Sequence, residues 1–268
     1  MRQPLLIASD IDGTLIDDHH RISARNRAAI GAAVEEQIPF VLVTGRPPRW
    51  LAPITEQLGI APPAVCANGA VVYDTATDRI VSAQTLDTDT LGWLAETIAH
   101  ALPGAGLAAE RLGDSAEAMN FAKAPAYVHP WAGPEGFDVS DAEVLAEPAV
   151  KLLVRVPAAR SADMRDVLAP LIADRVDVTF STDDGLLEIA RKGVDKAVGL
   201  ATIAADTGVA PDGAIAFGDM PNDVPMLRWA GHGVAMGNAH PEVEPIADER
   251  TASNNDSGVG LVLERWWG

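Results

Sequence analysis

Four apolar runs of four residues, each followed within two residues by a polar or acidic group, limit most strongly how this chain can fold. Leu5–Ala8 leads to Asp10 and Asp12, Phe40–Val43 to Thr44, Ala64–Ala67 to Asn68, and Ala214–Phe217 to Asp219 and Asp223. Short apolar runs without alternation mark strands that are buried on both faces. Helix candidates separate the first three. Ser23 caps one that runs to about Gln37, with Ile30, Ala33 and Val34 spaced as a buried stripe, and Pro47–Leu58 is a second whose first turn tolerates proline. Strand, helix, strand, helix, strand predicts a parallel sheet with right-handed crossovers. Open parallel sheets carry their active sites at the carboxyl ends of the strands, so the two acidic clusters can meet in one place. Carboxylates gathered that closely repel one another unless a divalent cation sits among them.

A hairpin of Val71-Val72-Tyr73 and Arg79-Ile80-Val81 leads out of this pattern. The character then changes. A helix candidate at Thr88–Leu102 is followed by a Gly/Pro-interrupted stretch from Pro103 to Pro148, a strand at Val150–Val156, a helix at Ser161–Ala173 and strands near Val176–Ser181 and Leu186–Ile189. The mixture predicts a smaller α+β domain at 86–187, inserted into a core made of 1–85 and 188–268. Two domains, or one elaborated domain, are what 268 residues lead one to expect. The core pattern resumes with a helix at Asp195–Ala205 and continues through a helix at Val224–Ala230, a strand at Gly233–Met236 and a closing segment at Gly258–Trp266.

The net charge of −18, from 20 basic and 38 acidic residues, argues against nonspecific binding to nucleic acid or an anionic membrane, since both are polyanions. Any anionic ligand would therefore have to be drawn in locally, by a metal and a few cations. The single cysteine, Cys66, lies in an apolar run, which excludes an intramolecular disulfide and suits a reducing cytosol. No apolar stretch approaches the roughly 20 residues that span a bilayer. Met1-Arg2-Gln3-Pro4 runs straight into the first strand, so the expectation is a soluble cytoplasmic protein. Its oligomeric state has no signature in the chain.

Four segments carry the chemistry: SDIDGTL around Asp10, VTGR around Thr44, GVDK around Lys196 and GDMPND around Asp219. In that order they resemble the signature of the haloacid dehalogenase superfamily of phosphohydrolases, and the string GVAMGNAHPEVEPIAD…SNNDSGV resembles its Cof-type branch. The resemblance covers both ends of the chain and leaves out the middle. It implies an α/β fold with a Rossmann-like parallel-sheet core and an inserted α+β cap that sets specificity. It also implies a Mg2+-dependent phosphatase that hydrolyses a small phosphorylated metabolite, a sugar phosphate or similar phosphomonoester, through an aspartyl-phosphate. Asp10 would be the nucleophile, and Asp12 the acid for the leaving alcohol and then the base for water. Thr44 would bind the transferring phosphoryl group, with Gly45 adding a backbone donor at the start of a helix. Lys196 would neutralise Asp10 and the phosphoryl oxygens. Asp10, the backbone carbonyl of Asp12 and Asp219 would ligate the metal, with Asp223 holding a metal-bound water or Lys196 and Asn222 donating to a phosphate oxygen. An all-oxygen ligand set points to Mg2+ rather than zinc.

Some residues keep two readings. Arg46 either reaches substrate or pairs with one of many acids. Lys192 competes with Lys196 for the cation's place. Asn68-Gly69-Ala70 is either a face of the site or a turn with permissive dihedrals. His129-Pro130-Trp131 either lines a substrate pocket or packs a loop. For the protein as a whole, a sugar phosphomutase of the phosphomannomutase type and a phospho-accepting signalling or sensor domain are the other readings. The first needs several cations in the insert, which is acidic. The second has no use for Asp12 or for a chain this long.

Overall fold

The structure, a computed structural model, describes residues 2–113, 118, 120–128 and 136–268. The His129–Trp131 motif lies outside the described residues. Two compact units are present, Met1–Val81 with Asp195–Gly268, and Ser82–Val194. The fold is α/β, with a Rossmann-like, largely parallel sheet in the first unit and a smaller mixed sheet in the second.

The first unit opens with β1 (Leu6–Ser9), α1 (Ala24–Glu35), β2 (Phe40–Val43), α2 (Ala52–Leu58), β3 (Ala64–Cys66), β4 (Val71–Asp74) and β5 (Arg79–Ala83). Ser23 caps α1 by accepting from the Asn26 N–H, and Ala29, Ile30 and Ala33 are buried along it. The helix expected over 47–58 is broken. Pro48–Trp50 forms a 3-10 turn and α2 begins only at Ala52. Pro53 explains the break: its ring would clash with the carbonyl four residues earlier, so no α-helix passes through it from 47.

The second unit contains α3 (Thr88–Ala101), β6 (Gly106–Glu110), β7 (Phe121–Lys123), β8 (Phe137–Asp138), α4 (Asp141–Val144), β9 (Lys151–Arg155), α5 (Ser161–Ile172), β10 (Val176–Thr179) and β11 (Leu186–Arg191). Its sheet runs β10-β11-β9-β6-β7-β8, antiparallel except for the β7–β8 edge. Strand alternation puts Lys151, Leu153 and Arg155 on one face of β9. There Lys151 and Glu188 form a buried ion pair at 2.5 Å, and Leu153 joins Ala108, Phe121, Tyr127 and Leu186 in an apolar cluster. α5 packs on β10 and β11 and against α3.

The chain returns to the first unit with α6 (Lys196–Thr207), β12 (Ala214–Gly218), α7 (Val224–Trp229), β13 (His232–Ala235), β14 (Glu249–Arg250) and α8 (Gly258–Trp267). The sheet order is β14-β13-β12-β1-β2-β3-β4-β5. All neighbours from β14 to β3 are parallel, and β4 turns antiparallel against β3. Leu200, Ile203 and Ala204 of α6 and Met226 and Leu227 of α7 share a core with Leu6, Ala8, Val41 and Val43. α1 packs against α8. Cys66 is buried at the end of β3, as its apolar run predicts. Among the described residues no helix is long and apolar enough to cross a membrane.

Candidate active site

Sheet register brings the functional segments level. Ser9 pairs with Phe217 on one side and with Leu42 on the other, and Val43 pairs with Val65. The residues that follow these strands therefore emerge side by side: Asp219, Asp10, Thr44 and the turn at Ala67. Asp10 N–H donates to Phe217 O at 3.0 Å and Thr44 N–H to Val65 O at 2.8 Å, which carries the ladder into the site itself. β1 has β2 on one side and β12 on the other, so Asp10 and Asp219 flank the point where the strand order reverses. That crevice is where open α/β sheets bind ligands.

Lys196 reaches the crevice from the start of α6, where Asp195 caps the helix by accepting from the Val198 N–H at 3.0 Å. Its side chain is wholly buried and its Nζ donates to Asp10 Oδ1 at 2.6 Å and to Asp223 Oδ1 at 2.5 Å. Lys192, the competing cation, pairs instead with Asp177 in the second unit. Asp223 uses its other oxygen to accept the backbone N–H groups of Asp219 (3.0 Å) and Met220 (2.9 Å), which folds the GDMPND loop onto itself. Thr14 Oγ1 donates to Asp219 Oδ1 at 2.8 Å. Gly13, with φ +74°, lies directly against the Asp219 carboxylate, and a Cβ there would drive into it. Only glycine meets both demands.

Carboxylate oxygens of Asp10, Asp219 and Asp223 all lie within 4.8 Å of one another. Burial holds the Asp10 carboxyl well above the usual range, and the Asp223, Asp219 and Asp12 charges add to the rise against the pull of Lys196. Burial, followed by the Asp223 charge, pushes Asp219 up to about 7. Burial alone would push Lys196 down, but the Asp10 and Asp223 carboxylates facing it hold it above its ordinary value. One lysine is thus set against three buried carboxylates. A divalent cation would supply the missing positive charge, and donors that are all oxygen suit Mg2+.

Around this centre Asp12 turns its half-exposed carboxylate to Arg46, which grips both oxygens, Nε to Oδ2 at 2.7 Å and Nη2 to Oδ1 at 2.6 Å. Of the two readings of Arg46, the structure places it on an acid, the second of the Asp-x-Asp pair. The buried Thr44 Oγ1 accepts the Arg46 N–H at 3.1 Å, which leaves its hydroxyl hydrogen to be donated elsewhere. Gly45 is half-buried within this turn. The turn leads into the 3-10 segment rather than an α-helix, so its amides act without a helix dipole behind them. The Asn222 amide nitrogen donates to Asn68 Oδ1 at 3.0 Å, while its own Oδ1 is buried with no hydrogen-bond partner.

Several residues that brace the site drew no expectation from the sequence. Thr14 was in view within DGT, but its bond to Asp219 spans most of the chain. The loop after the Asp pair is held by asparagine side chains: Asn238 Nδ2 donates to Gly13 O at 2.8 Å, Asn26 Nδ2 to Leu15 O at 3.1 Å and Asn254 Nδ2 to Ile16 O at 3.0 Å. Asn238 Oδ1 in turn accepts the Asn254 N–H at 3.0 Å. Two of these asparagines belong to the GVAMGNAH…SNNDSGV string, whose part in the site is this bracing.

Comparison with known proteins gives a consistent picture. Residues 7–263 match the family model of haloacid dehalogenase-like hydrolases. A 5-amino-6-(5-phospho-D-ribitylamino)uracil phosphatase of Bacillus subtilis is 32% identical, with 99% of this chain and 98% of that protein covered. An HMP-PP phosphatase of Serratia proteamaculans is 30% identical, with 97% and 94% covered. Among solved structures, a haloacid dehalogenase-like hydrolase from Bacteroides thetaiotaomicron superposes with a TM-score of 0.75 at 25% identity, covering 98% of this chain and 99% of that one. A subclass IIB sugar phosphatase shares the fold at a TM-score of 0.81 and 21% identity, covering 97% and 98%.

Proposed function

The chain belongs to the haloacid dehalogenase-like hydrolase family and is a phosphatase of that family; we propose that it hydrolyses a small phosphomonoester through an aspartyl-phosphate at Asp10, with Mg2+ as cofactor. The observation that carries this reading is the buried Lys196 Nζ bridging Asp10 and Asp223 beside Asp219. Such an arrangement holds one carboxylate ready for phosphorus and surrounds it with charges suited to a phosphoryl group.

Asp10, Asp219 and the backbone carbonyl of Asp12 would hold the metal. When bound, the ion offsets the carboxylate charge and that of the phosphoryl oxygens. Asp10 attacks phosphorus and the bond to the alcohol oxygen breaks. Asp12, released from Arg46, gives that oxygen its proton. In the second half Asp12 takes a proton from water, the water oxygen bonds to phosphorus, and Asp10 leaves as a carboxylate with inorganic phosphate as product. Thr44, Gly45 and Lys196 hold the phosphoryl oxygens, and Asn222 lies at the same rim. Asp223 keeps Lys196 in place and shapes the loop that presents Asp219. We assign the choice of leaving group to the second unit, since every residue named for the transfer lies in the first.

The test is phosphate release from a panel of phosphorylated metabolites with Mg2+ and with chelator. The panel begins with the 5-phosphoribitylamino-pyrimidine for which the Bacillus subtilis relative is named and includes sugar phosphates. Turnover of at least one ester that stops with chelator and returns with Mg2+ is expected. Equal rates in chelated, metal-free enzyme would sink the metal role.

A further inference from the structure

Ala67, Asn68 and Gly69 form a turn with three successive positive φ angles, 49°, 56° and 102°. Two non-glycine residues in the left-handed region at adjacent positions store strain, which concentrates at functional sites. The turn touches three of the site's other segments, those of Thr44, Lys196 and Asp219. Ala67 N–H donates to Arg46 O at 2.9 Å and Asn68 N–H to Thr44 O at 3.0 Å. Gly69 backs onto the carbonyl of Asp195, just before Lys196, so closely that no Cβ fits. Asn68 Oδ1 accepts from the Asn222 amide at 3.0 Å, with the two residues only 4% and 6% exposed.

A turn needs nothing from the Asn68 side chain beyond ease in the left-handed region, which glycine offers more readily. That account leaves the buried Asn68–Asn222 bond unexplained. It also leaves unused the second N–H of the Asn222 amide, whose first N–H is the one given to Asn68. We propose that Asn68 is a positioning residue: by accepting one N–H of the Asn222 amide it fixes the plane of that amide, so that the second N–H faces the phosphoryl ligand. The role rests on the phosphatase reading and adds to it the residue that orients Asn222.

Asn68→Gly separates the two accounts, because it keeps the turn and removes only the amide. The experiment compares wild type, Asn68→Gly, Asn222→Ala and the double variant, all with Mg2+. It measures the KM for p-nitrophenyl phosphate, the competitive inhibition constant of inorganic phosphate, and Tm. Asn68→Gly should weaken inorganic phosphate about 2- to 12-fold, the loss that one net hydrogen bond represents, in a protein that Tm shows to be folded at the assay temperature. In the double variant phosphate should bind no more weakly than in Asn222→Ala alone, since Asn68 acts through Asn222. Wild-type phosphate affinity in Asn68→Gly, or losses that multiply in the double variant, overturns the proposal. If Asn68→Gly does not fold, Asn68→Asp keeps an acceptor for the Asn222 amide. Asn222→Ala should then cost as much phosphate affinity in that background as in wild type, and a smaller cost overturns the role. A wild-type protein that neither hydrolyses p-nitrophenyl phosphate nor binds inorganic phosphate brings down the phosphatase reading and this one together. Active wild type with multiplying losses brings down only the role of Asn68.

Discussion

Asp10→Asn replaces a buried carboxylate with an isosteric amide that still accepts from Lys196 but lacks nucleophilic charge. Turnover of an alkyl phosphate should vanish while the fold persists, and phosphate release near the wild-type rate would remove Asp10 from the mechanism. Asp12→Asn should spare good leaving groups. Its kcat on p-nitrophenyl phosphate should fall little, whereas alkyl phosphates should lose about 10²–10⁴-fold, the usual worth of a general acid. At this scale the sequence was legible wherever a side chain follows a strand. Asp10, Asp219 and Thr44 come level because register puts them there, and Lys196 reaches Asp10 while Lys192 does not. What it hid were bonds between distant segments: the Arg46 grip on Asp12, Thr14 on Asp219, Asn222 on Asn68. No local pattern marks these, because each partner alone is an ordinary polar residue in a loop.

Helix α6 shows how an element delivers one atom. Asp195 caps its first turn and Lys196 stands next, so the cap fixes the root of the lysine. Asp195→Ala should lower stability by about 1 kcal/mol, and Tm by about 2–4 °C on the usual entropy of unfolding. It should also lower kcat by more than the unfolded fraction explains. Thermal melts beside kcat measure both, and a Tm loss with unchanged kcat would mean that the ion pairs alone hold Lys196. The strands of the parallel sheet could be read from their apolar runs, and α1 from Ser23. β6, with the run Gly-Leu-Ala-Ala-Glu, could not. Its residues have little strand preference, and it is a strand because β9 and β7 pair with it on both sides. The two-residue β14 escaped notice for the same reason, since only its partner β13 defines it.

For the whole molecule, the charge left over in the crevice links metal, pH and stability. Without metal, Asp219 holds its proton up to about 7, whereas the unfolded chain releases it near 3.8. Between those values the folded state binds more protons than the unfolded one, so the contribution of this group to stability falls as pH rises. Asp10 acts in the same direction. Bound Mg2+ replaces the proton, so the Tm gained on adding Mg2+ should grow from about pH 5 to about pH 8. A gain that shrinks over that range would contradict the charge account. Division of labour between the units gives a further expectation. Substitutions in the second unit, at His129 or Trp131 if these line the substrate pocket, should reorder kcat/KM across phosphate esters while the Mg2+ requirement stays put. A uniform loss for small and large esters alike would show that the second unit helps to build the catalytic centre.

β1 pairs with β2, made about thirty residues later, and with β12, made about two hundred residues later. On the ribosome, one edge of the central strand therefore waits, unpaired, until nearly the whole chain has emerged. The second unit is an uninterrupted stretch with a core of its own and can consolidate in the interval. Pairings this distant in sequence make folding slow, and an open apolar edge is a template for association with other chains. The protein should therefore depend on chaperone protection during synthesis, with activity appearing only after β12 docks. Truncations ending before residue 214 should aggregate rather than accumulate as an inactive folded core.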